Sequence, residues 1–299
     1  MKSFLNILFA AIAFFFTMTI AYLAKSDIVM QAVMLAFLIQ WVAYIPAYIF
    51  RTEKFYDLTG SLSYLTVIWF VFFSSNNLSG LNIQNLIVVT LISIWAIRLG
   101  TFLFGRIHKD GEDKRFRTIK TSASQFFMTW TLQGMWVSIC TMCAITAISS
   151  SQGIIANALF YLGLAFFIVG FAIEVVSDQQ KSAFRAVPEN KEKFITSGLW
   201  SKSQHPNYFG EILLWSAIAL LSISSLNGTQ YLTLISPIFT YVLLVYISGV
   251  RMLDDMGNKK WGCLLYTSPS PRDQRGSGFA GSGLKKKKGG GGGGGGGGG

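Results

Sequence analysis

The sequence predicts an all-α protein, a polytopic bundle of about seven or eight transmembrane helices with both ends of the natural chain in the cytosol. Three observations predict it. Charged residues make up 13% of the chain against 52% hydrophobic ones. A soluble domain carries about 25% charged residues, so this chain has too little polar surface to cover a globule in water. Apolar stretches of membrane-spanning length follow one another along it. Lys and Arg are concentrated in every second connection, the pattern that marks a cytosolic face.

The opening run, "MKSFLNILFAAIAFFFTMTIAYLAK", is apolar over 3–24. That is too long for a secretory signal core and long enough to span, so it is read as the first helix. Further apolar runs fall at 28–50, 60–75, 85–105, 124–148, 154–176, 206–225 and 230–250. The third is short for a hydrocarbon core of about 30 Å and is expected to tilt or to be partly re-entrant. Arg51 and Lys54 follow the second run. Arg106, Lys109, Lys114, Arg115, Arg117 and Lys120 follow the fourth, and Lys181, Arg185, Lys191, Lys193 and Lys202 follow the sixth. Arg251, Lys259 and Lys260 follow the eighth. The intervening connections "SSNNLSGLNIQ", "SSSQG" and "SSLNGTQ" have no Lys or Arg, and the first outer loop has only Lys25.

Residues 1–262 form the expected membrane domain. From Cys263 onward, "CLLYTSPSPRDQRGSGFAGSGLKKKK" and the Gly run that follows it to Gly299 have no hydrophobic period and end in Lys and Gly homopolymers, as translated adaptor, poly-A and poly-G would. We expect 263–299 to be a non-native, disordered tail and exclude it from fold reasoning. The tail holds Arg272, Arg275, Lys285, Lys286, Lys287 and Lys288 against Asp273, so without it the formal charge of +11 falls to +6. Topogenic Lys and Arg facing anionic lipid headgroups account for that charge, and no nucleic-acid partner is implied. Cys140 and Cys143 sit in an apolar run, which suits buried thiols better than redox or zinc chemistry. His108 and His205 lie in different loops with no acid or thiol completing a ligand set, so no metal site is expected.

Charge within a span is costly and usually faces a protein interior or a wet cavity. Arg98, Glu174 and Glu211 meet that description near one membrane face, and Asp178 stands one helical turn beyond Glu174. Arg98 could instead snorkel to the interface, and Glu211 could be a first-turn acid favoured by the helix dipole. "SKSQHPNYFGEILLW" (201–215) places His205, Asn207, Tyr208 and Glu211 at the mouth of an apolar helix. Pro206 suits the first turn of that helix. A cap alone would not ask for a histidine, an asparagine, a phenol and a glutamate together. Asn207 and Glu211 share a face at i, i+4, and the free amides of a helix N-terminus suit a phosphate. These residues make a pocket for a nucleotide-like cofactor.

The blocks "EKFYDLTGSLSYL", "IWAIRLGTFLFGRIHKDGEDKRF", "SDQQKSAF", "SGLWSKSQHPNYFGEILLW" and "GNKKWG" resemble, in order, an uncharacterised branch of the steroid 5-alpha-reductase-like membrane proteins. The resemblance covers roughly residues 50–262, with the reductase-like C-terminal region at about 120–262. It implies an NADPH-dependent reductase of an activated C=C bond in a steroid-like or other lipid substrate, its cofactor pocket open to the cytosol. Arg98, Asp178, His205, Asn207, Tyr208 and Glu211 fall on positions implied to hold NADPH, and Tyr56 and Asp57 on the substrate side, with Tyr56 as proton donor. Two departures stand out. Arg117 replaces an acid usual in the family, and the segment that normally follows "KKWG" is replaced by the tail. The implied location is an integral multi-pass one, in the endoplasmic reticulum or another endomembrane of a eukaryote or the inner membrane of a bacterium.

Two other readings stay open. Isoprenylcysteine and phospholipid methyltransferases, which use S-adenosylmethionine, share a His-Pro-x-Tyr element and add an Arg-x-x-Glu-Glu pair, loosely echoed by Arg251 to Asp255. A non-enzymatic lipid-binding protein is the third.

Overall fold

A backbone crossing lipid must satisfy every amide internally, so apolar length becomes helix. The structure, a computed structural model, describes residues 1–76, 81–113, 115–190 and 193–247. Its helices are α1 (Lys2–Leu23), α2 (Asp27–Ile49), α3 (Tyr56–Asn76), α4 (Ile83–Asp110), the one-turn α5 (Phe116–Ile119), α6 (Ala123–Ile148), α7 (Ala158–Ala186), α8 (Pro206–Ser222) and α9 (Ile235–Val242). There is no strand among the described residues. Among the described residues eight segments are long and apolar enough to cross a membrane. They are the long helices α1 to α4, α6 and α7, then α8 with its 3₁₀ extension, and finally Gly228–Ile247.

Side-chain caps begin four of these helices. Ser26, Asn82, Ser122 and Asn157 accept from the amides of Val29, Asn85, Gln125 and Phe160, each satisfying a donor the first turn leaves free. The third span is not short. It starts at Tyr56, because the hydroxyls that make 56–63 look polar bond back along the helix, Thr59 to the Phe55 carbonyl and Ser63 to that of Thr59, both at 2.8 Å. α7 likewise runs on to Ala186, ten residues past its apolar run, carrying its polar last turns out of the span. The last span is composite: a 3₁₀ stretch over Gly228–Leu234, α9, and a π turn over Leu243–Ile247. Pro237 falls in the first turn of α9, where no amide donor is missed.

α6 is the axis of the bundle, touching α1, α2, α3, α8 and α9. Its residues from Val137 to Ile148 are all buried, as expected of a helix hydrophobic on every side. α1 packs on it and buries Ala10, Ala13, Thr17, Ile20 and Ala21, and Phe37 of α2 lies on Gly134. Cys140 and Cys143 are free and buried there.

The face with few cations is laced together by hydrogen bonds. Ser26 meets Ser149 at 3.1 Å, and Asn85 accepts from the Ile154 amide at 2.8 Å. Asn157 donates to Ser224 at 2.7 Å, and Thr229 to the Leu23 carbonyl at 2.7 Å. Shallow depressions on this face, one beside Ser26, Ser149 and Gln230 and one beside Asn82 and Gln152, contain no acid or thiol. The Arg251 to Asp255 motif and the tail 263–299 lie outside the described residues.

Candidate functional site

α7 and α8 touch backbone to backbone. A Cβ on Gly210 would stand 2.6 Å from the Gly170 carbonyl oxygen and 2.7 Å from the Glu174 amide nitrogen, and one on Gly170 would stand 2.8 Å from the Gly210 carbonyl. Only glycines allow that approach, and it sets Glu211 beside Glu174. α4 packs along α3 and is joined to α7 and α8 chiefly by side chains. Arg98 donates to Glu174 at 2.7 Å and to Asp178 at 2.6 Å, one guanidinium across two acids a turn apart. Trp95, one turn earlier on α4, donates its indole N–H to the second oxygen of Glu174 at 3.1 Å. Behind this bridge Trp95, Trp215 and Tyr64 stack edge to face and tilted, with centroids 5.0 to 5.6 Å apart.

Both oxygens of Glu174 are held, but Glu211 is different. It is 8% exposed, and its Oε1 has no hydrogen-bond partner. The Trp215 indole nitrogen is also without one. The Tyr64 hydroxyl has only the Cys140 thiol, a weak partner, beside it. Glu211 interacts electrostatically with Glu174, Asp178 and Arg98. Three buried carboxyl groups therefore lie around the one guanidinium that bonds to any of them, with Lys181 and Arg106 acting on Asp178 from further out, and a ligand carrying N–H donors would satisfy the free oxygen of Glu211. Among the described residues no three His, Cys, Asp or Glu side chains are disposed to hold a metal ion.

The connection from α7 to α8 packs back on the last turns of α7. Trp200, 7% exposed, donates its indole N–H to the Ser177 carbonyl at 3.0 Å. Gln180 accepts from the Leu199 amide at 3.0 Å. Gly198 makes the turn with φ of +61° and has the Gln180 carboxamide where a Cβ would be. Lys181 lies over the Trp200 ring, 4.7 Å from its centroid. The docked segment delivers His205 to the N-cap of α8, where its side chain makes no capping bond, with Pro206 next. His205 instead stacks on Tyr208, 5.6 Å between ring centroids at 13°. Asn207 and Tyr208 are half-buried on the first turn.

The structure brings Arg98, Asp178 and Glu211 together with Glu174 in one cluster, and places His205 and Tyr208 at the start of α8 near it. Tyr56 stands apart. It packs between Phe116 and Trp130 and donates its hydroxyl to the Thr129 carbonyl at 3.0 Å. Asp57 turns toward Arg115 and Arg106. The α4–α6 connection is clamped by Glu53, 5% exposed, which accepts from Lys120 at 2.6 Å and from the Asp113 amide at 3.1 Å. Half-burial pushes the Asp113 carboxyl up, but the hydrogen bonds and charge of Arg115 outweigh it and hold it below 3.8. The sequence reading missed Trp95, Trp200, Gln180 and Glu53. Trp95 is legible afterwards as the residue one turn from Arg98 on the same face.

A family model described as "Protein of unknown function (DUF1295)" matches residues 43–267. A protein of Ustilaginoidea virens titled "Probable O-methyltransferase ustE" is 31% identical over 130 residues, 38% of this chain and 45% of that protein. The matched part thus spans less than half the length of that curated relative. No solved structure matches the chain.

Proposed function

The chain belongs to the DUF1295 family, within the steroid 5-alpha-reductase-like membrane superfamily, and from that premise we propose that it is an NADPH-dependent reductase acting on an activated C=C bond of a steroid-like or other lipid. The observation that carries the reading is the orphaned Glu211 Oε1 in a buried cluster of acids, with Lys181 and Arg106 acting on it from further out along α7 and α4. A carboxylate oxygen without a donor suits a carboxamide NH2, the group a nicotinamide presents. Arg106, Lys181 and Arg185 outside Asp178 suit phosphates. The residues present therefore fit a phosphorylated dinucleotide.

When bound, NADPH supplies hydride to the β carbon of the alkene. The chain's own residues bind, orient and exclude water. Glu211 accepts from the carboxamide. Arg98 holds Glu174 and Asp178 in place, and Trp95, Trp215 and Tyr64 close the apolar wall behind them. Asn207 and Tyr208 border the entry, with His205 stacked outside. Asp57 and Tyr56 lie on the substrate side of this reading. Tyr56 would have to release the Thr129 carbonyl to protonate an enolate, whereas Tyr64 stands within electrostatic reach of Glu211 and has no comparable bond to give up. A lipid-soluble substrate enters between helices, and the seam between α4 and α7, bridged mainly by side chains, is the natural place.

A second reading has a specific observation behind it. The curated relative is titled an O-methyltransferase, and three carboxyl groups facing one guanidinium also suit the sulfonium and ammonium of S-adenosylmethionine. One experiment separates the two. Unfolding midpoints of the detergent-solubilised protein are recorded with NADPH or S-adenosylmethionine, in the parent and in Glu211→Ala and Asn207→Ala. A ligand at 100 times its Kd adds about 2.7 kcal/mol. Stabilisation by NADPH that both substitutions abolish is expected. Stabilisation by S-adenosylmethionine alone would move the protein to the methyltransferases, and none from either would leave a lipid-binding role.

A further inference from the structure

α2, α3 and α6 meet in a buried layer that is polar but uncharged. Gln40 of α2, fully buried, donates to the Ser63 hydroxyl at 2.8 Å, and Ser63 gives its own hydrogen to the Thr59 carbonyl at 2.8 Å. Gln133 of α6, 7% exposed, donates to the Tyr56 carbonyl at 3.1 Å. Gly60 makes room for it, since a Cβ there would stand 2.5 Å from the Gln133 amide nitrogen. Trp130, one turn before Gln133 and fully buried, packs on the Tyr56 ring with centroids 5.0 Å apart. All three side chains thus touch one face of α3, because positions 56, 59, 60 and 63 recur at helical spacing over about 10 Å of its length. Phe37, one turn before Gln40, lies on Gly134, next to Gln133, so α2 and α6 close the layer from either side.

These bonds fix which way each carboxamide points. A carbonyl oxygen can only accept, so the NH2 of Gln133 must face Tyr56. The Ser63 hydrogen is engaged with Thr59, so the NH2 of Gln40 must face Ser63. Both carboxamide oxygens are left over, and neither has a hydrogen-bond partner; nor has the Trp130 indole nitrogen. Polar groups buried within a span are costly to leave unmet. The layer therefore offers two acceptors and one donor. A ketone, ester or phosphate brings acceptors only and would leave both oxygens unmet. An ammonium would need a counter-charge, and the acids beside Tyr56 in sequence face elsewhere, Glu53 to Lys120 and Asp57 to Arg115 and Arg106. A hydroxyl carries a donor and an acceptor on one atom. An internal water makes about three hydrogen bonds, the number of groups left over here. On its other side α3 turns Ser61 to Gly100 and Tyr64 to Trp95, so the layer is separate from the acid cluster.

We propose that Gln40, Gln133 and Trp130 form a buried binding site for a neutral hydroxyl, which donates to the carboxamide oxygens and accepts from the indole N–H. Two sources supply that chemistry, a single internal water or the hydroxyl end of a lipid alcohol reaching in from the bilayer. The site stands apart from the proposed cofactor pocket and does not rest on the reductase reading.

The test is hydroxyl-radical footprinting of the full chain in detergent, read by mass spectrometry, alongside thermal unfolding with cholesterol or cholestane as probes. Trp95 is the control, since it is as buried as Trp130 but bonded to Glu174. A water held in the site is itself a source of radicals, so with water as the occupant Trp130 is oxidised and Trp95 is not, and cholesterol changes neither result. With a lipid alcohol as the occupant, cholesterol protects Trp130 and raises the unfolding midpoint by about 2–4 °C, the shift expected of one uncharged hydrogen bond in a chain of this size. Cholestane, which lacks the hydroxyl, does neither. Gln40→Met and Gln133→Met should each abolish whichever effect the parent shows. Equal protection of Trp130 and Trp95 in the parent, together with a midpoint that cholesterol does not move, overturns the site. So does an effect that persists in both variants.

Discussion

Arg98 is the residue on which the interior depends. It is the cation facing Glu174, Asp178 and Glu211, and its side chain is 18% exposed, so solvent screens it weakly. Removing one partner of a buried charge set costs about 3–5 kcal/mol, because the charges left behind have nothing to compensate them. Arg98→Ala should lower stability by that order. Glu211→Gln should be neutral or stabilising, since it removes one acid from a set with too many and loses no hydrogen bond at Oε1. Urea unfolding in mixed micelles checks the pair, and equal destabilisation by both would show that Glu211 is held by interactions absent from this account. The same contrast explains what was legible. Arg98, Asp178 and Glu211 stood out because charge in an apolar helix demands a reason. The direction of Tyr56 was not legible, because a phenol at a helix start carries no sign of it, and its hydroxyl bonds to the Thr129 carbonyl.

Elements were legible to the extent that their signals were local. Span positions followed from apolar length, and starts from Ser26, Asn82, Ser122 and Asn157. The start of α3 did not, because Thr59 and Ser63 satisfy their hydroxyls on their own helix and a composition window cannot see that. The crossing of α7 on α8 was equally hidden. Nothing local to Gly210 says that the backbone it meets is that of Gly170, forty residues away. That crossing makes a prediction about helices. Gly210→Ala puts a methyl against backbone, which cannot yield as a flexible side chain would, and should cost about 1–3 kcal/mol. By moving Glu211 away from Glu174 it should also abolish ligand stabilisation. Gly105→Ala on α4 is the control: no atom lies within 4 Å of the new methyl, and the better helix propensity is worth up to about 1 kcal/mol. Thermal midpoints of the two variants should move in opposite directions, and a neutral Gly210→Ala would mean the helices cross with slack.

For the whole molecule, the order of charges governs orientation. The connections after α2, α4 and α7 carry the cations, while those after α1, α3 and α6 carry Lys25 at most among their described residues. Cytosolic leaflets are anionic, and each Lys or Arg near that surface is worth about 1 kcal/mol, so a chain reversed in the bilayer would set all its basic loops on the wrong side. The candidate site lies toward those loops, so orientation would also decide which side supplies the proposed cofactor. We therefore expect Lys54 and Lys202 in the cytosol and Ser151 on the opposite side. Single cysteines at these exposed positions, in a Cys263→Ser background with buried Cys140 and Cys143 left in place, can be probed with a membrane-impermeant maleimide in sealed vesicles of both orientations. Lys54→Cys and Lys202→Cys should label only when the cytosolic face is outward, and Ser151→Cys only when it is inward. Labelling of Ser151→Cys together with Lys202→Cys would break the alternation on which the bundle's topology rests. Reversal of all three would keep the bundle but turn its mouth away from the cytosolic pool of NADPH, leaving the reductase reading without a supply of its cofactor.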